Sequence, residues 1–413
     1  MNFEAKLEKY AQVIVKVGLN IQAGQRLLIW SAPYEAAPFV RAITRLSYQA
    51  GARYVGVIYE DLDNLKAWLA YGDEDSYAEY LLDDMEVLRK YGERGDALLL
   101  IKGNDPNYLG AYEQSRVHKF QAGMSHNLGI YRGLIGGGEI SRCVAVAPTQ
   151  GYADLVLPDV PEGDRLDKFW ELIFKLCRIE GEDPIENWEK HIQKLALRSN
   201  HMNEKHFTAL KFSAPGTDLM VGLPTGHIWH SARKKSKTGI PYVPNIPTEE
   251  VFTLPDRSRV DGVVQVARPL SYGGATVEDF RLSFENGKVV QVSSKTGQED
   301  TIKNYLNTDE NASYTGEVAL VPNSSPISQS GRTFYNIMYD ENASCHIALG
   351  SAYRMSMKDG VKMSDEEFTA AGGNISKLHL DFMVGSGEMD IDGITQDGGS
   401  EPLMRAGEWA HAV

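Results

Sequence analysis

The side chains of this chain that could do chemistry together are concentrated in a few short stretches. Residues 335–350 place Glu341 and His346 in one segment, through Asn342-Ala343-Ser344-Cys345-His346, with Tyr353 just beyond it. His379 and Asp381 follow. Because strand side chains alternate, positions two apart can turn towards one ion from the same face. Upstream, Glu250 lies beside Glu249 in residues 244–253, and Glu317 lies in residues 316–322. Carboxylates with imidazoles and no thiolate make a hard-to-borderline donor set, suited to zinc, cobalt, manganese or magnesium. Glu250, Glu317, His346, His379 and Asp381 sit among apolar or small neighbours, where an unpaired charge is costly to bury. A metal centre is one reading of that grouping, and surface placement with ordinary salt bridges is the other.

The elements that must position these residues change character along the chain. Apolar positions at helical spacing over residues 6–19 lead through Gly24 to an apolar strand at 26–30. A second helical pattern over 35–51 leads to a strand at 53–59, and further strands read at 96–101 and 142–148. Apolar strands alternating with helices indicate an open, mostly parallel sheet covered on both faces. Charged helical patterns at 164–179 and 186–199 mark a joint. Beyond about residue 205 alternating runs at 207–213, 218–222, 260–267, 278–284, 288–294, 316–321 and 378–384 take over. Asn286-Gly287 between two of them is a hairpin signal. The expected fold is therefore an α/β domain over residues 1–190 and a strand-rich α+β domain over 191–413 that carries the metal site.

Composition narrows the class. Lysine and arginine total 42 against 56 acidic residues, a formal charge of −14, which argues against nucleic acid or an anionic membrane as the main partner. No apolar run approaches the roughly 20 residues that span a bilayer, and the first residues read as an amphipathic helix without a signal-peptide core, so a cytoplasmic location is expected. Cys143, Cys177 and Cys345 form no Cys-x-x-Cys pair, which fits a reducing compartment and excludes a thiolate zinc site. Other motifs are weaker. His201 and His206 lack His-Glu-x-x-His spacing, His227 and His230 flanking Trp229 read as lining residues, and the glycine run 133–138 reads as a loop. Ser386 lacks a complete nucleophile elbow and reads as part of a turn.

Taken in order, residues 244–253, 316–328, 342–350 and 379–385 resemble the thermophilic metallo-aminopeptidase family of the aminopeptidase T and aminopeptidase S type. The likeness extends over nearly the whole chain, including residues 10–24 and Gly216-Thr217-Asp218-Leu219, with a departure at Tyr152-Ala153 where a tryptophan would be expected. The resemblance implies a two-metal exopeptidase acting on peptides, with Glu250, Glu317, His346, His379 and Asp381 at ligand positions. It implies too that Tyr353 matches an active-site tyrosine, and that the protein is a homodimer. Glu341 is a further ligand candidate. Two divalent ions can share a hydroxide and polarise a carbonyl at once, which requires a bridging carboxylate, here Glu317. Glu249 is the candidate general base and Tyr353 the candidate oxyanion donor. Another metal-dependent amidohydrolase or esterase, or a binding protein with a closed structural metal site, are the alternatives.

Overall fold

The computed structural model of the protein describes residues 1–136, 140–272 and 275–411. Two compact units divide the chain: Met1–His191 with Arg233–Pro247, and Ile192–Ala232 with Thr248–Val413. The stretch Arg233–Pro247 groups with the first unit, which a single cut at residue 190 does not provide for. Helix Pro184–Lys205 carries the chain from one unit into the other.

The first unit is built on strands Arg26–Pro33, Tyr54–Glu60, Ala97–Lys102 and Ser141–Val146, all parallel. Their spatial order is second, first, third, fourth. Residues 97–101 are buried without a break, the pattern of a strand covered on both faces. Helix Phe3–Val13 starts where the Asn2 side chain accepts the Ala5 N–H at 3.0 Å. A wider helical turn, Ile14–Gly18, continues it to a tight packing point, where a Cβ on Gly18 would come within 2.7 Å of Cys143 Sγ.

The glycine run departs from the loop expected of it. Gly133 to Gly136 belong to helix Gly129–Gly136, while Gly137 and Gly138 lie outside the described residues. Tyr131 and Leu134, three apart on that helix, pack against the core of Leu28, Trp30, Met85, Leu88 and Leu98. That burial outweighs the helix cost of about 1 kcal/mol per glycine.

Besides the two-stranded pair Leu270–Tyr272 and Ala275–Val277, the described residues of the second unit form two larger antiparallel sheets. The larger runs in the order Lys288–Ser294, Phe280–Glu285, Val260–Gln265, Thr217–Gly222, Ala209–Ala214, Asp390–Ile394, Ser400–Arg405, Glu408–Trp409. Asn286 and Gly287 close its hairpin with φ of 50° and 82°, the positive pair that a two-residue turn of this hand requires. The smaller sheet orders His379–Met383, His346–Gly350, Thr315–Leu320 and Val251–Thr253, all antiparallel. A parallel sheet with helices followed by a strand-rich region is the fold class expected from the sequence.

Candidate metal centre

Register in the smaller sheet decides which side chains meet. Glu317 pairs with Ala348, and Ala348 with Asp381, so these three form one row across the sheet. Ala319 pairs with His346 and Gly350 with His379, two positions to either side. Period-two alternation then puts Glu317, His346, His379 and Asp381 on one face, with Ala319, Ala348 and Gly350 leaving room among them. Phe252 pairs with Ala319 and lies on the same face, and Glu250 precedes it by two. Glu249 and Glu250 come before the strand Val251–Thr253 begins, so strand alternation does not bind them to opposite faces.

A bulge aims Glu317. The register shifts between Thr315 and Glu317, making Gly316 the extra residue. A Cβ on Gly316 would fall 2.4 Å from Gly350 O and 2.6 Å from Ser351 O, so the close approach of the two chains admits only glycine.

The polar atoms converge. His346 Nε2 lies 3.2 Å from Glu250 Oε2 and 3.8 Å from Glu317 Oε1. His379 Nε2 lies 3.6 Å from both Glu317 Oε2 and Asp381 Oδ1. One donor atom each from Glu250, Glu317 and His346 fall within 4.8 Å of one another. Glu317, His346 and Asp381 are buried and Glu250 nearly so. Glu249 is also buried, its N–H donating to Asn342 Oδ1 at 2.6 Å. Glu341 sits in the turn Glu341–Ala343, half-buried, with Oε1 accepting from Asn342 Nδ2 at 3.3 Å. Tyr353 is half-buried, its ring 5.0 Å from the His379 ring and 6.2 Å from Phe252.

This arrangement fits a cation. Each histidine donates Nδ1–H to a carbonyl, His346 to Ser344 O at 3.1 Å and His379 to Ser351 O at 2.7 Å. Both Nε2 atoms are thereby turned towards the carboxylates as prospective ligands, the orientation typical of metal-bound histidine. Glu250 Oε2, Glu317 Oε2 and Asp381 Oδ1 are buried without a hydrogen bond, a costly state unless a positive charge satisfies them. Without metal, protons must do so. Burial pulls both imidazoles down, but for His346 the contacts with Glu250 and Glu317 outweigh it and hold the ring well above its usual range. For His379 the Asp381 and Glu317 carboxylates do the same, to about 10. Burial raises Glu317 and Glu341, the latter well above the usual range with the Asp381 and Glu250 charges adding to it. Asp381 is lowered: burial opposes this, but the His379 charge prevails.

The sequence reading missed the residues that make the space and the scaffold. Ala348 and Gly350 carry no chemistry, yet their place opposite Glu317, Asp381 and His379 is what lets those side chains meet. Asn342, fully buried, ties the Glu249 backbone, the Glu341 carboxylate and Met338 O together. Its position in the segment that also holds His346 was the available signal.

A buried carboxylate–imidazole cluster of this kind, in a strand-rich unit of a chain that also carries a parallel α/β unit, has the donor set of a metal-binding protein. Comparison with known proteins makes that more particular. The profile described as thermophilic metalloprotease (M29) matches residues 3–409. The chain is 41% identical over 409 residues to aminopeptidase AmpS of Bacillus subtilis (strain 168), covering 99% of both chains. It is 39% identical over 425 residues to aminopeptidase T of Thermus aquaticus, covering 98% of this chain and 99% of that one. The solved structure of wild-type AmpT from Thermus thermophilus superposes with a TM-score of 0.92 at 38% identity, covering 99% of this chain and 100% of that one. The chain belongs to the M29 thermophilic metalloprotease family, and it is a metallo-exopeptidase of the aminopeptidase class. Membership implies divalent metal. Among the described residues no helix is long and apolar enough to cross a membrane.

Proposed function

We propose that the protein is a dinuclear aminopeptidase that removes the N-terminal residue from peptides. The observation that supports this most directly is the Glu317 carboxylate, whose Oε1 faces His346 and whose Oε2 faces His379. Glu250 and His346 would hold one ion, His379 and Asp381 the other, with Glu317 between them and Glu341 as a further ligand. The ions, drawn from zinc, cobalt, magnesium or manganese, would polarise the scissile carbonyl and activate a water.

The chain's own groups supply the rest. Tyr353 offers its phenolic hydrogen to the oxygen that becomes negative, a bond that strengthens as charge develops. Glu249 accepts the proton of the attacking water on its carboxylate and returns it to the departing amine. The acidic surroundings favour a substrate with a free ammonium at its end, and burial of the row Glu317–Ala348–Asp381 keeps bulk water from competing for it. The reading includes a homodimer in the cytoplasm, supported by the family resemblance and the acidic composition, and residues 191–413 as the part that carries the catalytic machinery.

The test is reconstitution of metal-free protein with each ion singly, followed by assay on a peptide and on its N-acetylated form. Elemental analysis should give two ions per chain at full activity, with the acetylated peptide uncleaved. Equal cleavage of the two peptides, or full activity with one ion, would overturn the proposal.

A further inference from the structure

A segment with no candidate ligand is fastened to both sides of the centre. His230 and Phe252 exchange backbone hydrogen bonds, at 2.8 Å and 3.0 Å, and Phe252 lies two positions after Glu250. Thr253 Oγ1 adds a bond of 2.9 Å to Ile228 O. On the other side Ile228 N–H donates to Ser356 O at 2.7 Å and Lys358 N–H donates to Gly226 O at 2.8 Å. His230 Nε2 reaches Met355 O at 2.9 Å. A carbonyl only accepts, so the His230 proton is on Nε2. Met355 is two positions after Tyr353, in the turn Arg354–Ser356.

These contacts differ in what substitution can remove. The backbone bonds survive a change of side chain at residue 230; the imidazole bond does not. The three-residue turn it reaches is closed by Ser356 N–H to Tyr353 O at 3.0 Å and Met357 N–H to Arg354 O at 3.2 Å, and Arg354 Nη1 ties it onward to Gly360 O at 3.2 Å and Met363 O at 2.8 Å. A ring series runs through the same place: His230 stands 5.7 Å from Phe252, Phe252 6.2 Å from Tyr353, and Tyr353 5.0 Å from His379.

We propose that His230 is a positioning residue: its Nε2–H bond to Met355 O holds the turn bearing Tyr353 in register with the strand entry bearing Glu250. This rests on Tyr353 acting as the oxyanion donor, a role for which displacement of about 1 Å is enough to lower rate strongly.

The decisive comparison is His230→Phe, which keeps a ring against Phe252 and deletes the donor, with His230→Gln, whose side-chain amide can reach Met355 O. In the Phe variant kcat should fall about tenfold or more, with KM and bound metal little changed, and the Gln variant should recover most of the loss. Amide hydrogen exchange, followed on metal-free and metal-loaded protein, should quicken at residues 354–358 in the Phe variant alone, with Thr315–Leu320 unaffected. Added to Tyr353→Phe, His230→Phe should lower kcat no further. Unchanged exchange at 354–358, exchange quickened equally across the smaller sheet, or multiplicative losses in the double variant would each overturn the proposal. If the Phe variant does not fold, His230→Asn, too short to span to Met355 O, replaces it in every comparison. An unchanged kcat in Tyr353→Phe alone would refute the role given to Tyr353, and the exchange data would then decide on His230 separately.

Discussion

Loading metal into the metal-free protein should expel protons, and the number can be worked from the centre. His346 and His379 each commit Nδ1–H to a backbone carbonyl, so any second proton is on Nε2, the atom a metal would need. Asp381 and Glu317 hold the His379 imidazolium at about 10, and His346 is raised well above its usual range. At pH 7 both rings are therefore charged in the metal-free fold. Displacing a proton bound three pH units above neutrality costs on the order of 4 kcal/mol, so proton and metal compete strongly for His379. With the two imidazoles deprotonating on binding, apparent affinity should rise at least about 100-fold per pH unit, tenfold for each proton released, and any proton released from the raised Glu341 or Glu317 carboxyl adds to that slope.

The assay is zinc titration against a chelator of known affinity at several values from pH 6.5 to 9, with calorimetry in buffers of differing ionisation enthalpy to count protons. A companion measurement follows from the sign of the same shifts. A histidine whose pKa is raised on folding stabilises the fold fully below its unfolded value of about 6.5 and loses that contribution as pH climbs through its folded value. For His379 that window runs from about 6.5 up to about 10. Metal-free protein should thus lose thermal stability across it, while loaded protein should not. Affinity independent of pH between 7 and 9, with no buffer-dependent heat, would refute the charge assignment.

Other perturbations test the scaffold and the division of labour. Gly316→Ala must move Gly350 O and Ser351 O, so it should cost about 1–3 kcal/mol and loosen metal binding; denaturant melts with elemental analysis check both, and wild-type values in each would remove the bulge from the argument. Ala348→Leu puts a branched side chain between Glu317 and Asp381 and should empty the centre while far-ultraviolet dichroism stays native; two retained ions would show that Ala348 does not set the space. Glu250→Gln should weaken metal binding so that excess metal restores part of the activity. Glu249→Gln should keep the metal and lower single-turnover rate by roughly 100- to 10,000-fold, and near-normal chemistry in that variant would eliminate Glu249 as base.

What could be read from the sequence follows from how local each signal is. The four parallel strands declare themselves as apolar runs because both of their faces are covered, and Asn286-Gly287 declares a hairpin because few dipeptides take two positive φ values. His379 and Asp381 were readable as a pair sharing a face, since alternation is a property of one strand. Strands Asp390–Ile394 and Ser400–Arg405 were not readable: Asp390, Asp392 and Gly393 look like turn residues until antiparallel pairing with Ala209–Ala214 is known. Gly133 misled for the opposite reason, because the core that Tyr131 and Leu134 enter is assembled from distant residues. The bulge at Gly316 and the clearance at Ala348 are products of register, which no single segment contains.

Why the cluster gathers where it does has a common physical answer. Regular strands hold side chains at fixed spacings and parallel directions, so a flat face alone would present its carboxylates side by side without focusing them. Every candidate but Asp381, which sits in regular register within its strand, departs from that regularity: Glu250 precedes its strand, Glu317 follows a bulge, Glu341 is in a turn, and His346 and His379 are the first residues of theirs. The sheet then supplies rigidity while its irregular entries supply convergence. Convergence of Glu250, Glu317 and Asp381 with two neutral imidazoles would leave a net charge of about −3 in a buried place even before Glu341 is counted, far too costly to persist uncompensated. The protons on His346 and His379 reduce that charge without satisfying every buried oxygen. Bound divalent metal would do both, and the orphaned oxygens, the raised imidazoles and the bulge are then parts of one device.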